Sequence, residues 1–479
     1  MLAPSGPDES GRSRSTPDRF LQLTILLGLL LDLFGDPHSY YEAERRAHGH
    51  QLAALLCLAL AAYWSFTFMR RTSEPPYGWA ERALRFAERT DWTDAWLRVA
   101  PAVAAFLVTS AEAIPLMAMG FSPGELFALH YGAPLVLLVM GLLRAPSLYV
   151  ALVALLVGFL VRAAVFLAAP ITPSGGDMMP LIQGAWSQLK IGQSPYAMYA
   201  FPWRVPLTYL PVTWLFYGPA FHFGLDIRWS NIAAQLLLLG ALLWASGSAS
   251  FRKTLPHVQL WAWFFLSVAC ARWDATAAAV VYWAALSWAL VAVAKRSPAA
   301  PVLVAIAAAS SPLVATLFPL IAIVWWRDLG TTRAVRRTLV VVAVLCALCL
   351  PWFLWSPHDF VEGTLLWFND LAQYPQEWWH DHGARPILGL GSLFWSTGLQ
   401  ALLKPIQLAI VVAMTALTLR ARDPMRHLFL FGAPYFVCFM LFNPVVWTYF
   451  YETAWCIALV AIATPSIHSS VTRSQSGDV

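Results

Sequence analysis

Charge is scarce in this chain. Asp, Glu, Lys and Arg together make up 12% of its 479 residues, against roughly 25% in an ordinary soluble domain. That scarcity excludes a disordered protein, an ordinary soluble enzyme and a nucleic-acid binder. Cysteine is also sparse. The 6 Cys all fall inside apolar runs, which suits small core residues and argues against a disulfide framework. Cys346 and Cys349 form a C-x-x-C, but no second pair accompanies it, so the expectation is a buried helix and not a metal or redox site. The chain lacks a Walker loop, a G-x-G-x-x-G, an H-E-x-x-H and a G-x-S-x-G. Their absence argues against a nucleotide-driven pump and against a glycosyltransferase with a cytoplasmic domain. No small-residue cleavage site follows the first apolar stretch, residues 21–34, and Asp32 interrupts it, so a removed signal peptide is not expected.

What is present is apolar. Hydrophobic residues reach 59%, aromatics 14%, and the mean hydropathy is +0.60. At about 20 residues per crossing, the chain has room for about 12–14 membrane spans. Apolar runs occupy residues 52–69, 100–119, 126–143, 147–168, 206–223, 229–246, 258–271 and 275–294. They continue over 302–310 with 313–326, 339–355, 387–402, 406–419, 428–442 and 445–463. The expected fold is therefore all-α, a polytopic transmembrane helical bundle with outer loops and interfacial helices. Residues 1–19 read as a disordered cytoplasmic tail, 20–149 as N-terminal spans, 150–464 as a transmembrane core and 465–479 as a polar tail. Residues 78–98 alternate charges with Trp and Leu, which suits either a helix on the membrane surface or a solvated helix.

Cations orient the bundle. Arg70 with Arg71, Arg144, Lys295 with Arg296, Arg327 with Arg333, Arg336 and Arg337, and Arg420 with Arg422 and Arg426 mark cytoplasmic loops. Counting spans then puts residues 170–204, residues 356–385 and the Asn443-Pro444 turn on the outer side. Arg252 and Lys253 conflict with that count. Either residues 206–223, interrupted by Pro211 and Pro219, are re-entrant, or that loop breaks the rule.

Three features on the outer side carry candidate chemistry. In the first loop Asp177 follows Gly175-Gly176 at a membrane boundary. It could take a proton from a hydroxyl nucleophile, or cap a helix beginning near Met178, or do both. Arg204 is a fixed cation at the same boundary and suits a phosphate. The second feature is Arg272-Trp273-Asp274, where a charged pair at a span end is either functional or a cap with a snorkelling Arg. The third is Asn443-Pro444 through Trp447 and Tyr449 to Glu452, a polar helix start or an aromatic belt, with Glu452 facing protein or a polar cavity. The loop 356–385 adds acidic residues among Trp367, Trp378 and Trp379, a mixture suited to sugars. Its His380-Asp381-His382 is a weak metal pattern, because adjacent residues rarely converge on one ion.

The order of these motifs resembles a known one. Gly176-Asp177, then Gly192, Ser194-Pro195-Tyr196 and Tyr209-Leu210-Pro211 are similar to the first outer loop of the glycosyltransferase C superfamily. Within it the likeness is to bacterial polyprenyl-phosphate-mannose-dependent mannosyltransferases. Arg272-Trp273-Asp274 resembles their later G-x-x-D step, residues 311–327 their K-P-x-x-L-x-x-x-P segment, and Asn443-Pro444 to Tyr449 their late P-x-x-x-x-W-Y turn. The likeness covers residues 150–463. Departures are Ser311 in place of the Lys, Leu210 in place of the first Pro of the pair, and Trp273 where a small polar residue is common. Residues 1–149 have no counterpart in it.

The resemblance implies a plasma-membrane hexosyltransferase whose active site faces outward. It would move a sugar, mannose by the closest likeness, from a polyprenyl-phosphate donor to a cell-envelope glycan or glycolipid acceptor. Asp177 would be the catalytic residue, and Arg204 and Arg272 would bind the donor phosphate. Tyr196, Tyr209, Asp274, Asn443 and Trp447 would contact substrate. No cofactor is expected, with a divalent metal left open, and no nucleic acid. The competing reading is a transporter or flippase of a lipid-linked or small polar substrate. A scaffold with a dead site is a third, since the family Lys is missing. The polar groups cluster on one face and no internal repeat is visible, which favours the transferase.

Overall fold

In a computed structural model of the protein the uncharged runs are helices, joined by one short β-ribbon. The structure describes residues 132–143, 147–168, 170–173, 176–201, 204–246, 274–367, 397–443 and 448–464, with single positions 122, 124, 145, 390 and 394. The expected spans before residue 120, the helix at 78–98, the span 258–271 and half of 387–402 lie outside the described residues. So do Arg272, Trp447 and His380-Asp381-His382.

The described elements run in this order. Helices α1 (Ala133–Leu142) and α2 (Ser147–Ala168) lead to α3 (Met178–Lys190). Strands β1 (Met198–Ala200) and β2 (Arg204–Pro206) follow, antiparallel, with Tyr199 opposite Val205. Next come α4 (Pro211–Leu215), α5 (Gly218–His222), α6 (Trp229–Ser246), α7 (Ala279–Ala294), α8 (Ala300–Ala308), α9 (Pro312–Ala315) and α10 (Phe318–Leu329). Then α11 (Thr331–Trp355), α12 (Pro357–Val361), a π-helical turn Glu362–Leu366, α13 (Leu403–Arg420), α14 (Pro424–Leu441) and α15 (Thr448–Ala463) complete the series.

Among the described residues, five helices are long and apolar enough to cross a membrane: Trp229–Ser246, Pro312–Leu329, Thr331–Trp355, Gln400–Arg420 and Pro424–Leu441. This is consistent with a multi-pass membrane protein. At about 1.5 Å per residue, α11 is long enough to exceed a hydrocarbon core of about 30 Å.

Burial separates centre from periphery. Helix α7 is apolar all round, and nearly every residue of it is buried. It packs on α6, α8 and α15, while α14 packs on α10, α13 and α15. Small residues allow these approaches. A Cβ on Gly432 of α14 would sit 3.3 Å from Ile457 Cγ2 on α15. Trp283 of α7 donates a hydrogen bond of 3.1 Å to Thr453 Oγ1, which pins α7 to α15. Helix α11 is the opposite case: only Ala334 and Val341 are buried along it. The C-x-x-C is therefore not in a buried helix, because Cys346 is exposed on α11.

Two expectations change. Residues 206–223 do not form one helix. Pro211 and Pro219 each occupy the first turn of a separate five-residue helix, where a missing N–H costs nothing. Residues 356–367 are not simply a polar loop, since α12 and the π-helical turn fill them.

Glycine fixes how the first loop folds back. A Cβ on Gly184 of α3 would lie 2.7 Å from Tyr199 Cε1 on β1. Tyr199 cannot yield easily, because its hydroxyl donates to the Pro195 carbonyl at 2.6 Å. Gly184→Ala should therefore cost about 1–3 kcal/mol by overpacking, read as a lower midpoint for thermal unfolding in detergent. The same change at Gly240, whose nearest neighbour is an ordinary 3.4 Å contact with Trp288, should leave the midpoint nearly unchanged.

Candidate functional site

The sequence leaves Asp177 to cap a helix or to do something else. It occupies the N-cap position of α3, yet its backbone is already helical and its side chain makes no cap hydrogen bond. Its negative charge is felt at Tyr209. Burial raises the Tyr209 hydroxyl well above its ordinary pKa, and the negative charge of Asp177 adds to the rise. A hydrogen bond with Thr208 opposes it.

The residue before Asp177 explains its position. Gly176 has φ +151°, in a region L side chains rarely adopt, and a Cβ there would meet Thr276 Cβ at 3.1 Å. The loop can therefore lie directly against the turn that carries Asp274. Two of the three expected features meet at this contact.

Asp274 is fully buried at the centre of a polar network. Arg162 of α2 forms an ion pair with its Oδ2, and Gln235 Nε2 of α6 donates to the same oxygen at 2.5 Å. Asn231, one turn before Gln235 on α6, donates to the carbonyls of Asp274 at 2.6 Å and Ala277 at 3.0 Å. Tyr217 donates to Asn231 Oδ1 at 2.5 Å. Burial pushes the Asp274 carboxyl up, and the Arg162 guanidinium and Gln235 amide oppose that push. A pair so buried is stabilised by its own attraction only when every partner is in place.

Tyr196 lies in the core, 1% exposed. Its hydroxyl donates to the Tyr209 carbonyl at 2.9 Å and accepts from Trp214 Nε1 at 3.2 Å. Its ring lies 4.7 Å from that of Phe360 on α12. Tyr196 therefore holds Tyr209 and does not present its hydroxyl to a cavity. Next to it the backbone of Leu207 touches Gly363 so closely that no side chain would fit. The start of the second long polar stretch is thus packed on the first.

Other expected residues lie elsewhere. Arg204 opens β2 and is exposed. Asn443, just past the end of α14, accepts a hydrogen bond from Gln407 Nε2 of α13 at 3.1 Å. Glu452 is buried on α15, where its carboxylate interacts electrostatically with Tyr282 of α7. Ser311, standing where the resembled motif has Lys, caps α9 by accepting from the Leu313 amide at 3.3 Å. Among the described residues, no three His, Cys, Asp or Glu side chains gather as metal ligands would.

Four residues of this site escaped the reading of the sequence: Arg162, Tyr217, Asn231 and Gln235. Three carried a signal. Arg162 interrupts an apolar run of 22 residues, and a charge there needs a buried partner. Asn231 and Gln235, four apart on an apolar helix, must share a face. Tyr217 carried none.

Comparison with protein-family models, with curated proteins and with solved structures finds no match to this chain.

Arg162→Met should leave Asp274 buried and unpaired, at a cost of about 3–5 kcal/mol. Adding Asp274→Leu should recover most of that loss. Thermal unfolding of both variants in detergent checks the pair.

Proposed function

We propose that the protein is a membrane glycosyltransferase that moves a sugar from a polyprenyl-phosphate donor to a cell-envelope glycan or glycolipid. The observation that carries this reading is Asp177: a carboxylate at a helix start that spends no hydrogen bond on the cap and whose charge is felt at a buried tyrosine hydroxyl. Such a group is suited to take a proton from an acceptor hydroxyl.

The acceptor oxygen attacks the anomeric carbon as its proton passes to Asp177. The bond from that carbon to the phosphate oxygen breaks, and polyprenyl phosphate leaves. Its growing negative charge needs a cation, and Arg204, exposed at the edge of the ribbon, is a suitable group. Mannose, an outward-facing site, and roles for Arg272 and Trp447 follow from the motif resemblance. Tyr209 would line the acceptor side, and Asp274 would act through its network by holding the turn behind Gly176.

One observation favours the competing reading of a transporter. Arg162 and Asp274 form a buried ion pair between apolar helices, and such pairs also mark substrate and ion paths. The two readings separate in proteoliposomes. A transferase converts a labelled polyprenyl-phosphate sugar into a new glycosidic product, whereas a carrier moves it unchanged.

Asp177→Asn should lower transfer by about 10²–10⁴-fold, with an unchanged elution profile and unfolding midpoint in detergent. Full transfer by that variant would sink the assignment.

A further inference from the structure

A second charged region lies away from Asp177. Lys295 and Arg296 end α7, Arg327 ends α10, and Arg333, Arg336 and Arg337 fall in the first two turns of α11. Against these six cations the two segments carry one acid, Asp328. The fold ties the segments together. Arg296 pairs with Asp328 at 2.9 Å, Arg337 donates to the Arg296 carbonyl at 3.3 Å, and the Arg337 guanidinium lies 5.6 Å from the Trp325 ring centre.

Two features of this region are unfavourable on their own. Arg333, Arg336 and Arg337 stand at i, i+3 and i+4, so they share one face of α11 and repel one another. They also lie at the helix end whose N–H groups already carry positive potential, and α11 has neither an acid in its first turn nor a side-chain cap. Arg296 adds a third cost. Among the described residues it alone, glycine aside, has positive φ, +52°. It closes α7 where glycine or asparagine would fit without strain. An external anion would relieve the repulsion.

The surroundings indicate which anion. Past Arg336 the same side of α11 exposes Leu339, Ala343 and Leu350, at helical spacing, and almost none of the helix's apolar length is covered by protein. Trp326 is exposed at the same level, as a residue at a membrane interface would be. A soluble phosphate would use the cations alone. A lipid uses both, its headgroup on the arginines and its chains along α11.

We propose that the turn between α10 and α11, together with the end of α7, binds the headgroups of anionic phospholipids. This stands independently of the transfer reaction. The test uses the full-length protein in mixed micelles, with phosphatidylglycerol or phosphatidylcholine added and the retained lipid counted by native mass spectrometry. The protein should retain phosphatidylglycerol in preference. Each exposed cation is worth about fivefold near an anionic surface, so the triple variant Arg327→Gln, Arg333→Gln, Arg336→Gln should reduce that preference by about a hundredfold. The corresponding triple Lys variant should keep most of it. Equal retention of the two lipids by the native protein would overturn the proposal. So would an unchanged preference in the Gln variant, an equal loss in the Lys variant, or displacement of the lipid by equimolar inorganic phosphate.

Discussion

Arg162 and Asp274 are separated by 112 residues, and both are fully buried. A lone carboxylate or guanidinium in that position would cost several kcal/mol, so neither can be placed without the other. The pair therefore joins α2 to the turn before α7. Gln235 and Asn231 bring α6 to the same point, and Tyr217 brings the segment before α5. Four separate stretches of chain are fixed by one requirement, that the buried charge of Asp274 be answered. The turn so fixed carries Thr276, against which Gly176 rests. The position of Asp177 is in this sense a consequence of the ion pair.

A second constraint is steric. The first loop returns on itself only because Gly184 admits the Tyr199 ring, and it meets α12 only because Gly363 admits the backbone of Leu207. The aromatic residues between them then lock. Trp186 donates to the Trp214 carbonyl at 2.9 Å, Trp214 donates to Tyr196, and Tyr196 donates to the Tyr209 carbonyl. Each polar tip of a buried ring is thereby satisfied, as large aromatic groups require. This chain of bonds leads from the core to Tyr209, whose hydroxyl feels the charge of Asp177.

Much of the fold was legible from the sequence. The apolar runs at 147–168 and 229–246 coincide with α2 and α6, because a long, mostly apolar stretch satisfies its own backbone as a helix. The helix start near Met178 was legible from Asp177, though the cap bond itself is absent. The split of residues 206–223 was signalled by Pro211 and Pro219. The site was legible only in part. Asp177 and Asp274 stand out as acids at the ends of apolar runs, and the residue before the first packs on the turn that carries the second. Tyr196 and Tyr209 stand out through the motif resemblance, yet Tyr196 serves the core, since a motif gives a residue's place in the chain and not the direction of its side chain.

The sequence by itself determined that the chain is helical and apolar and where most of its described helices begin and end. These properties depend on composition and on residues within a few positions of one another. Only the tertiary structure decided that Arg162 answers Asp274, that α7 lies at the centre while α11 lies at the edge, and that the two long polar stretches meet at Tyr196 and Phe360. Apolar helices of similar composition look alike along the chain. Which of them becomes the core is set by which small residues permit close approach and which buried polar groups need one another, and those partners lie far apart in sequence.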